Sequence, residues 1–233
     1  MLACHAFQIC PPVHDRSGHA ANLRLGPMSD ELVIHPLTPR RLPDLAELFG
    51  QGGDPKWCWC AYFRVRAKEF TASTSCEPPN QGKANRELLE RLTHDGAVPG
   101  LLAYDQDEPV GWVSVAPRDQ FARILLSRTI GPTNPDETGV WSVVCFWLPA
   151  RRRRGGLGTT LLAGAVEFAR SAGAGVVEGY PRDTAGERRP GAEVFTGTVG
   201  MFRRAGFSIT SHPASGRPIA RLHTSGARRH GHR

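Results

Sequence analysis

The densest chemistry in this chain lies at Arg151 to Thr160, which reads RRRRGGLGTT. An apolar run, Val140 to Trp147 (VWSVVCFW), comes before it, and an apolar helical stripe comes after. Gly155, Gly156 and Gly158 carry no side chains, so their backbone N–H groups are left open. A helix beginning there adds the partial positive charge of its N-terminus, and the arginines add full charges. Such a turn can cradle phosphate oxygens. Thr159 and Thr160 add hydroxyls. The plain alternative is a solvated basic loop before an ordinary helix. No GxxxxGK[ST] is present, which excludes a P-loop, and no GxGxxG follows the strand at dinucleotide-binding spacing.

The elements that must hold this turn follow from periodicity. Val140 to Trp147 is apolar on both alternating faces, which predicts a central strand covered on both sides. After the turn, Leu161, Leu162, Ala165, Val166 and Ala169 form one stripe, which predicts a helix over 157–172 that stops at Gly173. Upstream, Glu31 to His35 alternates as a strand. Thr38 and Pro39 then open a helix that ends at Gly50. A second helix is expected over 82–94. Leu101 to Tyr104 and Val110 to Val115 make a hairpin around Asp105 to Pro109. A short helix fits 119–127. Gly175 to Tyr180 reads as a strand, Phe195 to Ala205 as the last helix, and 207–210 and 218–222 as closing strands. This order predicts one α/β (α+β) domain with a central mixed, mostly antiparallel sheet flanked by helices.

Composition narrows the rest. The chain has 233 residues, 40 % hydrophobic and 22 % charged, which fits a globular domain and excludes a disordered or collagen-like chain. No apolar run reaches the roughly 18–20 residues of a membrane helix, so no membrane association is expected. The net charge is +7, from 29 Lys and Arg against 22 Asp and Glu. Residues 1–27 carry +1 and residues 223–233 carry +3, leaving +3 on the core. That is too little for a general nucleic-acid surface, so no nucleic-acid partner is expected. Residues 1–27 show no period, and Met28 stands just before the first strand. They are expected to be a disordered extension, with Met28 as an alternative start. Residues 28–222 then form the domain and 223–233 a disordered basic tail. No export signal is legible, so the cysteines are expected to be reduced and the protein cytoplasmic. Cys58 and Cys60 lack a second pair at zinc-like spacing, and no metal is expected.

Arg153-Arg154-Gly155-Gly156-Leu157-Gly158 resembles the R/Q-x-x-G-x-G/A signature of the GCN5-related N-acetyltransferases (GNAT). The resemblance extends to the Pro149-ended strand, the TTLL helix, the later segment Met201 to Phe207 (MFRRAGF), and the element order from Glu31 to Leu222. It implies transfer of an acetyl group from acetyl-CoA to a primary amine by direct attack. The acceptor would be a small molecule or a protein. The CoA pyrophosphate would lie on Arg153, Arg154, Gly155, Gly156, Leu157, Gly158 and Thr159. The pantetheine arm would lie along Cys145, Phe146 and Trp147. A homodimer paired through an edge strand is also compatible with the resemblance.

Two departures stand out. The loop after Pro149 is one residue longer than usual. Phe202 stands where the family often has a tyrosine that protonates the leaving thiolate, and phenylalanine cannot donate a proton. The thiolate would then leave unaided, or through another group. These departures keep open a non-catalytic acyl-CoA-binding regulatory domain of the same fold. Within the transferase reading, Glu178 is a candidate base and Tyr180 a candidate acid or acceptor contact. The plainer readings are a carboxylate paired with an arginine, and a packed ring. Trp57 and Trp59, in the aromatic run Trp57 to Phe63, are candidate walls of the acceptor site or parts of the core. Thr196 and Thr198 are candidate CoA contacts or helix caps.

Overall fold

A computed structural model of the protein describes residues 32–153 and 155–224. Seven strands form one sheet: β1 (Leu32–Pro36), β2 (Gly100–Asp105), β3 (Glu108–Pro117), β4 (Val140–Trp147), β5 (Val176–Gly179), β6 (Ser208–Ser211) and β7 (Pro218–His223). Their order is β1-β2-β3-β4-β5-β7-β6. Only β4 and β5 pair in parallel, and every other neighbouring pair is antiparallel. The expected mixed, mostly antiparallel sheet is therefore present. The helices are α1 (Leu42–Gly50), α2 (Pro55–Cys58), α3 (Ala67–Thr74), α4 (Lys83–His94), α5 (Ala122–Leu125), α6 (Leu157–Ser171) and α7 (Val199–Arg204).

Each face of the sheet carries its own core. On one face Leu45, Leu48 and Phe49 of α1 pack with Trp59, Trp112, Val144, Trp147 and Tyr180. On the other, the α6 stripe of Leu157, Leu161, Leu162, Ala165 and Ala169 packs with Ile34, Val113, Val143, Phe146 and Phe202. Full burial of each large side chain contributes about 1.5–3 kcal/mol, so both faces stabilise β4 at the centre. Gly164 lets Ile34 of β1 close on α6, because a Cβ there would lie 2.7 Å from Ile34 Cδ1.

Local signals misplaced several boundaries. The helix expected from Pro39 begins as a 3-10 turn, and regular α1 starts only at Leu42. The helix expected from Phe195 begins at Val199. Gly197, at φ +83°, holds a turn there, and Thr198 caps the helix by accepting the Met201 N–H at 3.3 Å. Helices α2 and α3 carried no clear period in the sequence. β7 runs through His223, one residue past the expected domain end. The expectations for residues 1–27 and for 225–233 lie outside the described residues. Among the described residues, no helix is long and apolar enough to cross a membrane.

Candidate active site

β4 and β5 stay paired only from Val140↔Val176 to Val143↔Gly179. β5 then ends, while β4 continues to Trp147. A bulge falls at the same point: Ser114 pairs with Cys145 and Val115 with Val143, so Val144 is the extra residue. The two central strands therefore part, and one edge of β4 faces a gap. Gly179 stands at the fork. A Cβ on it would lie 2.2 Å from Phe202 Cε1, so the buried Phe202 ring fills the space beneath.

β4 leads directly into the glycine turn. Gly156 is the N-cap of α6 with φ +86°, in the left-handed region open to glycine. The Thr159 and Thr160 N–H groups both donate to Gly156 O. Among the described residues, the N–H groups of Gly155, Gly156, Leu157 and Gly158 donate to no backbone carbonyl. A Cβ on Gly155 would meet nothing within 4 Å, so the turn is open to an incoming group. The arginines beside it divide. Arg151 pairs with Glu108, and Arg152 bridges Asp105 at 2.7 Å and Glu108 at 3.3 Å. Half of the four-arginine run is thereby neutralised by the β2–β3 turn. Arg153 donates its Nε to Leu148 O at 3.1 Å and has no acidic partner among the described residues. Arg154 lies outside the described residues.

The chain between β5 and α7 covers the gap. Its ends are pinned, with Arg182 N–H on Gly197 O at 2.9 Å and Val199 N–H on Arg182 O at 3.0 Å. It passes Arg153 at Gly191. Phe195 then reaches the open edge of β4, where its carbonyl accepts the Phe146 N–H at 2.6 Å. Tyr62 and Phe63 pack on the Phe195 ring, with centroids 5.9 and 6.1 Å away.

Glu178 is 2 % exposed and fully engaged. Arg118 Nη1 lies 3.3 Å from both carboxylate oxygens, and Arg221 Nη1 lies 2.8 Å from Oε1. The Tyr180 hydroxyl donates to Oε2 at 3.2 Å and accepts from Ser142 Oγ at 3.0 Å. Burial, then the Glu178 charge, raise the Tyr180 pKa far above the usual tyrosine range. With Arg118 on both oxygens, Arg221 on Oε1 and the Tyr180 hydroxyl on Oε2, each oxygen already accepts two bonds and has none to spare for an amine proton. A tyrosine so placed is committed to the same network. The geometry thus favours the plainer reading of each, an arginine-paired carboxylate and a packed ring.

Other sequence candidates also find their places. Trp59 is buried edge-on to Phe49 at 5.4 Å and donates to Lys56 O at 3.1 Å. Trp57 is half-buried, with Lys56 Nζ 4.4 Å from its ring centroid and its carbonyl on Asn85. From the aromatic run, Tyr62 and Phe63 are the rings that pack on Phe195. Cys145 meets Cys60, Sγ to Sγ 3.3 Å, and Trp112 Nε1 donates to Cys60 Sγ at 3.1 Å. Cys60 gets there through consecutive left-handed residues, Trp59 at φ 45° and Cys60 at φ 52°. Its bond to Cys60, and then burial, raise the Cys145 thiol pKa, while burial pushes Cys58 up to about 12. Neither is primed as a nucleophile. Among the described residues, no group of three or more His, Cys, Asp or Glu could hold a metal ion.

No local pattern points to Arg118 and Arg221 as the partners of Glu178. Phe195 lies ahead of the helix expected to begin with it, which starts at Val199. A more useful signal was present in Pro190 and the three glycines from Gly186 to Gly197, which favour a loop over a helix.

Comparison with known proteins gives a consistent picture. Residues 59–183, more than half of the chain, match the family model described as acetyltransferase (GNAT) family. No curated protein matches. Among solved structures, the chain is similar to the PaiA N-acetyltransferase of Thermoplasma acidophilum in complex with coenzyme A, at 12 % identity and TM-score 0.47, covering 83 % of this chain and 99 % of that one. It is also similar to a ribosomal-protein-alanine N-acetyltransferase from Brucella melitensis, at 20 % identity and TM-score 0.42, covering 81 % and 96 %. A third is a GNAT family acetyltransferase from Brucella melitensis in complex with acetyl-CoA, at 13 % identity and TM-score 0.44, covering 87 % and 94 %.

Proposed function

The chain belongs to the GNAT family of acetyltransferases, and on that premise we propose that it moves the acetyl group of acetyl-CoA to a primary amine by direct attack. One observation carries this reading. The gap between β4 and β5 opens beside the N–H-lined start of α6, so a thioester and a pyrophosphate can be held by one continuous surface.

The N–H groups of Gly155 to Gly158, the helix dipole and Arg153 hold the pyrophosphate. The Thr159 N–H is already bonded to Gly156, so its hydroxyl is what it offers. The edge of β4 at Cys145 to Trp147 accompanies the pantetheine arm, and Phe195 yields the Phe146 N–H to it. The bound thioester supplies the activated acetyl group. The chain contributes chiefly by positioning. Since Glu178 is engaged, the amine proton passes to solvent. Since Phe202 is a buried hydrocarbon, the thiolate leaves without an acid from that position. Thiols of this kind ionise near pH 8.5, so unaided departure is tolerable. The reading keeps the protein in the cytoplasm, where its four described free thiols stay reduced.

Calorimetric titration of the full chain with acetyl-CoA tests this, beside Gly156→Glu. Saturable binding that the variant loses, followed by amine-dependent thiol release, is the expected result. Absence of binding by the intact chain would overturn the reading.

A further inference from the structure

The β5–β7 ladder ends at Gly179↔Ala220, and the chain runs on from β5 to Arg182 and back from β7 to Arg217. Glu178, Tyr180 and Arg182 follow at two-residue spacing, and so do Arg221, Ile219 and Arg217. The register pairs Glu178 with Arg221, which form an ion pair at 2.8 Å. Beyond the ladder, Arg182 and Arg217 both line one open cleft of about 250 Å³. Burial and the Arg182 charge both lower the Arg217 pKa, and Tyr62 partly offsets them. Arg123 of α5 lies outside that cleft with its Cζ 4.0 Å from the Tyr62 ring centroid, and the loop carrying Arg217 is tied to the chain after α5 by Ser215 Oγ donating to Thr129 O at 2.6 Å.

These three arginines are unmatched. Among the described residues, no carboxylate lies within 4 Å of Arg123, Arg182 or Arg217, although seven other arginines are so paired. Nε and Nη2 of Arg123 and Nε of Arg217 are buried without a hydrogen-bond partner. A buried donor without a partner is costly, and more so when it is charged. Arg182 Nε donates to the Glu193 carbonyl at 3.3 Å, but the Asp183 and Glu193 carboxylates that line the same cleft pair with none of the three. Asp183 instead accepts the Ala185 N–H at 2.9 Å.

Position matters as much as charge. Tyr180 and Tyr62 belong to the face covered by α1, whereas the start of α6 lies on the opposite face. Arg123 therefore stands on the α1 side of the sheet beside Tyr62, and Arg182 and Arg217 share their cleft with Val194, the residue before Phe195. We propose that Arg123, Arg182 and Arg217 form an anion-binding subsite that selects acceptor amines carrying a carboxylate or a phosphate. The inference rests on the transferase reading above. Guanidinium forks match both anions in bidentate geometry, and the Tyr62 and Phe195 rings would line the body of the acceptor.

The test uses the full chain in two arms. Calorimetry measures binding of inorganic phosphate, of succinate and, separately, of acetyl-CoA. Acetyl transfer is then measured on primary amines that share a carbon skeleton and differ only in bearing a carboxylate, a phosphate or a carboxamide. The expected result is a preference of about tenfold or more in kcat/KM for an anionic member over its carboxamide. That corresponds to about 1.4 kcal/mol. Arg217→Gln and Arg123→Gln should each erase the preference while leaving the KM for acetyl-CoA unchanged, and Arg217→Lys should keep part of it. The carboxylate-to-phosphate ranking then assigns the anion. Equal use of the carboxamides, or anion binding that survives Arg217→Gln unchanged, overturns the subsite. Anion binding in a chain that does not bind acetyl-CoA overturns the transferase reading and leaves the subsite standing.

Discussion

Arg118 and Glu178 meet inside the protein, the guanidinium Nη1 3.3 Å from each carboxylate oxygen, with side chains 5 % and 3 % exposed. Arg118 Nη2 also donates to the carbonyls of Asn134 and Glu137, so the pair ties the chain before β4 to β5. Arg221 joins Glu178 to Glu137 from β7. A network of this kind positions the strands at the fork.

Removing the charge tests that role. Glu178→Gln leaves two guanidiniums without their shared counterion, one of them fully buried. Breaking a buried pair costs about 3–5 kcal/mol, or a Tm lower by roughly 6–20 °C for a domain of this size. Scanning calorimetry reads it. A variant with unchanged Tm and greatly reduced kcat would instead assign Glu178 to the chemistry.

The fork itself depends on a missing side chain. Gly179→Ala places a methyl group on the Phe202 ring, and overpacking of this kind costs about 1–3 kcal/mol. Gly179→Ala with Phe202→Leu should recover much of the loss. Gly155→Ala meets open space and should stay within about 0.5 kcal/mol of the parent. Urea unfolding of the variants separates these outcomes.

Thiol reactivity should follow burial. Cys76 is exposed, whereas Cys60 and Cys145 are buried and Cys58 is half-buried. Iodoacetamide attacks thiolates, and the raised Cys58 and Cys145 pKa values suppress them. Peptide mass spectrometry after brief labelling at pH 8 should find Cys76 modified. Cys58, Cys60 and Cys145 should label only after denaturation. Fast native labelling of Cys145 would contradict the packed thiol pair.

Acid should loosen the strand network in a defined order. The Arg221 hydrogen bond holds the Glu137 carboxyl below the usual glutamate range. Its contribution is complete above the unfolded pKa, near 4.5. It is lost as pH falls through the lower folded pKa. Glu137→Gln should therefore be less stable than the parent at pH 7, and the gap should narrow by pH 3. A gap independent of pH would exclude this linkage.

Much of the frame is legible in local patterns. The VWSVVCFW run is a two-faced central strand, and the 157–172 stripe is a helix packed on it, because period and burial coincide there. The glycine turn is legible because glycine spacing records a backbone need directly. The first helices of the Trp57 to Thr74 stretch were not legible, since α2 is four residues long and α3 carries little apolar pattern.

By itself, the sequence determined the order of the strands, the family signature and the turn that opens α6, all of which are properties of residues close along the chain. Only the tertiary structure decided what Glu178 meets, where Phe195 lodges, and which arginines stay unmatched. A carboxylate on β5 becomes a strut because the sheet order places β7 beside it and folds Arg118 over it. The chain ends leaving β5 and entering β7 bring Arg182 and Arg217 to one cleft. No local period encodes such neighbours, because the energy of a buried charge depends on what the fold brings within a few ångströms of it.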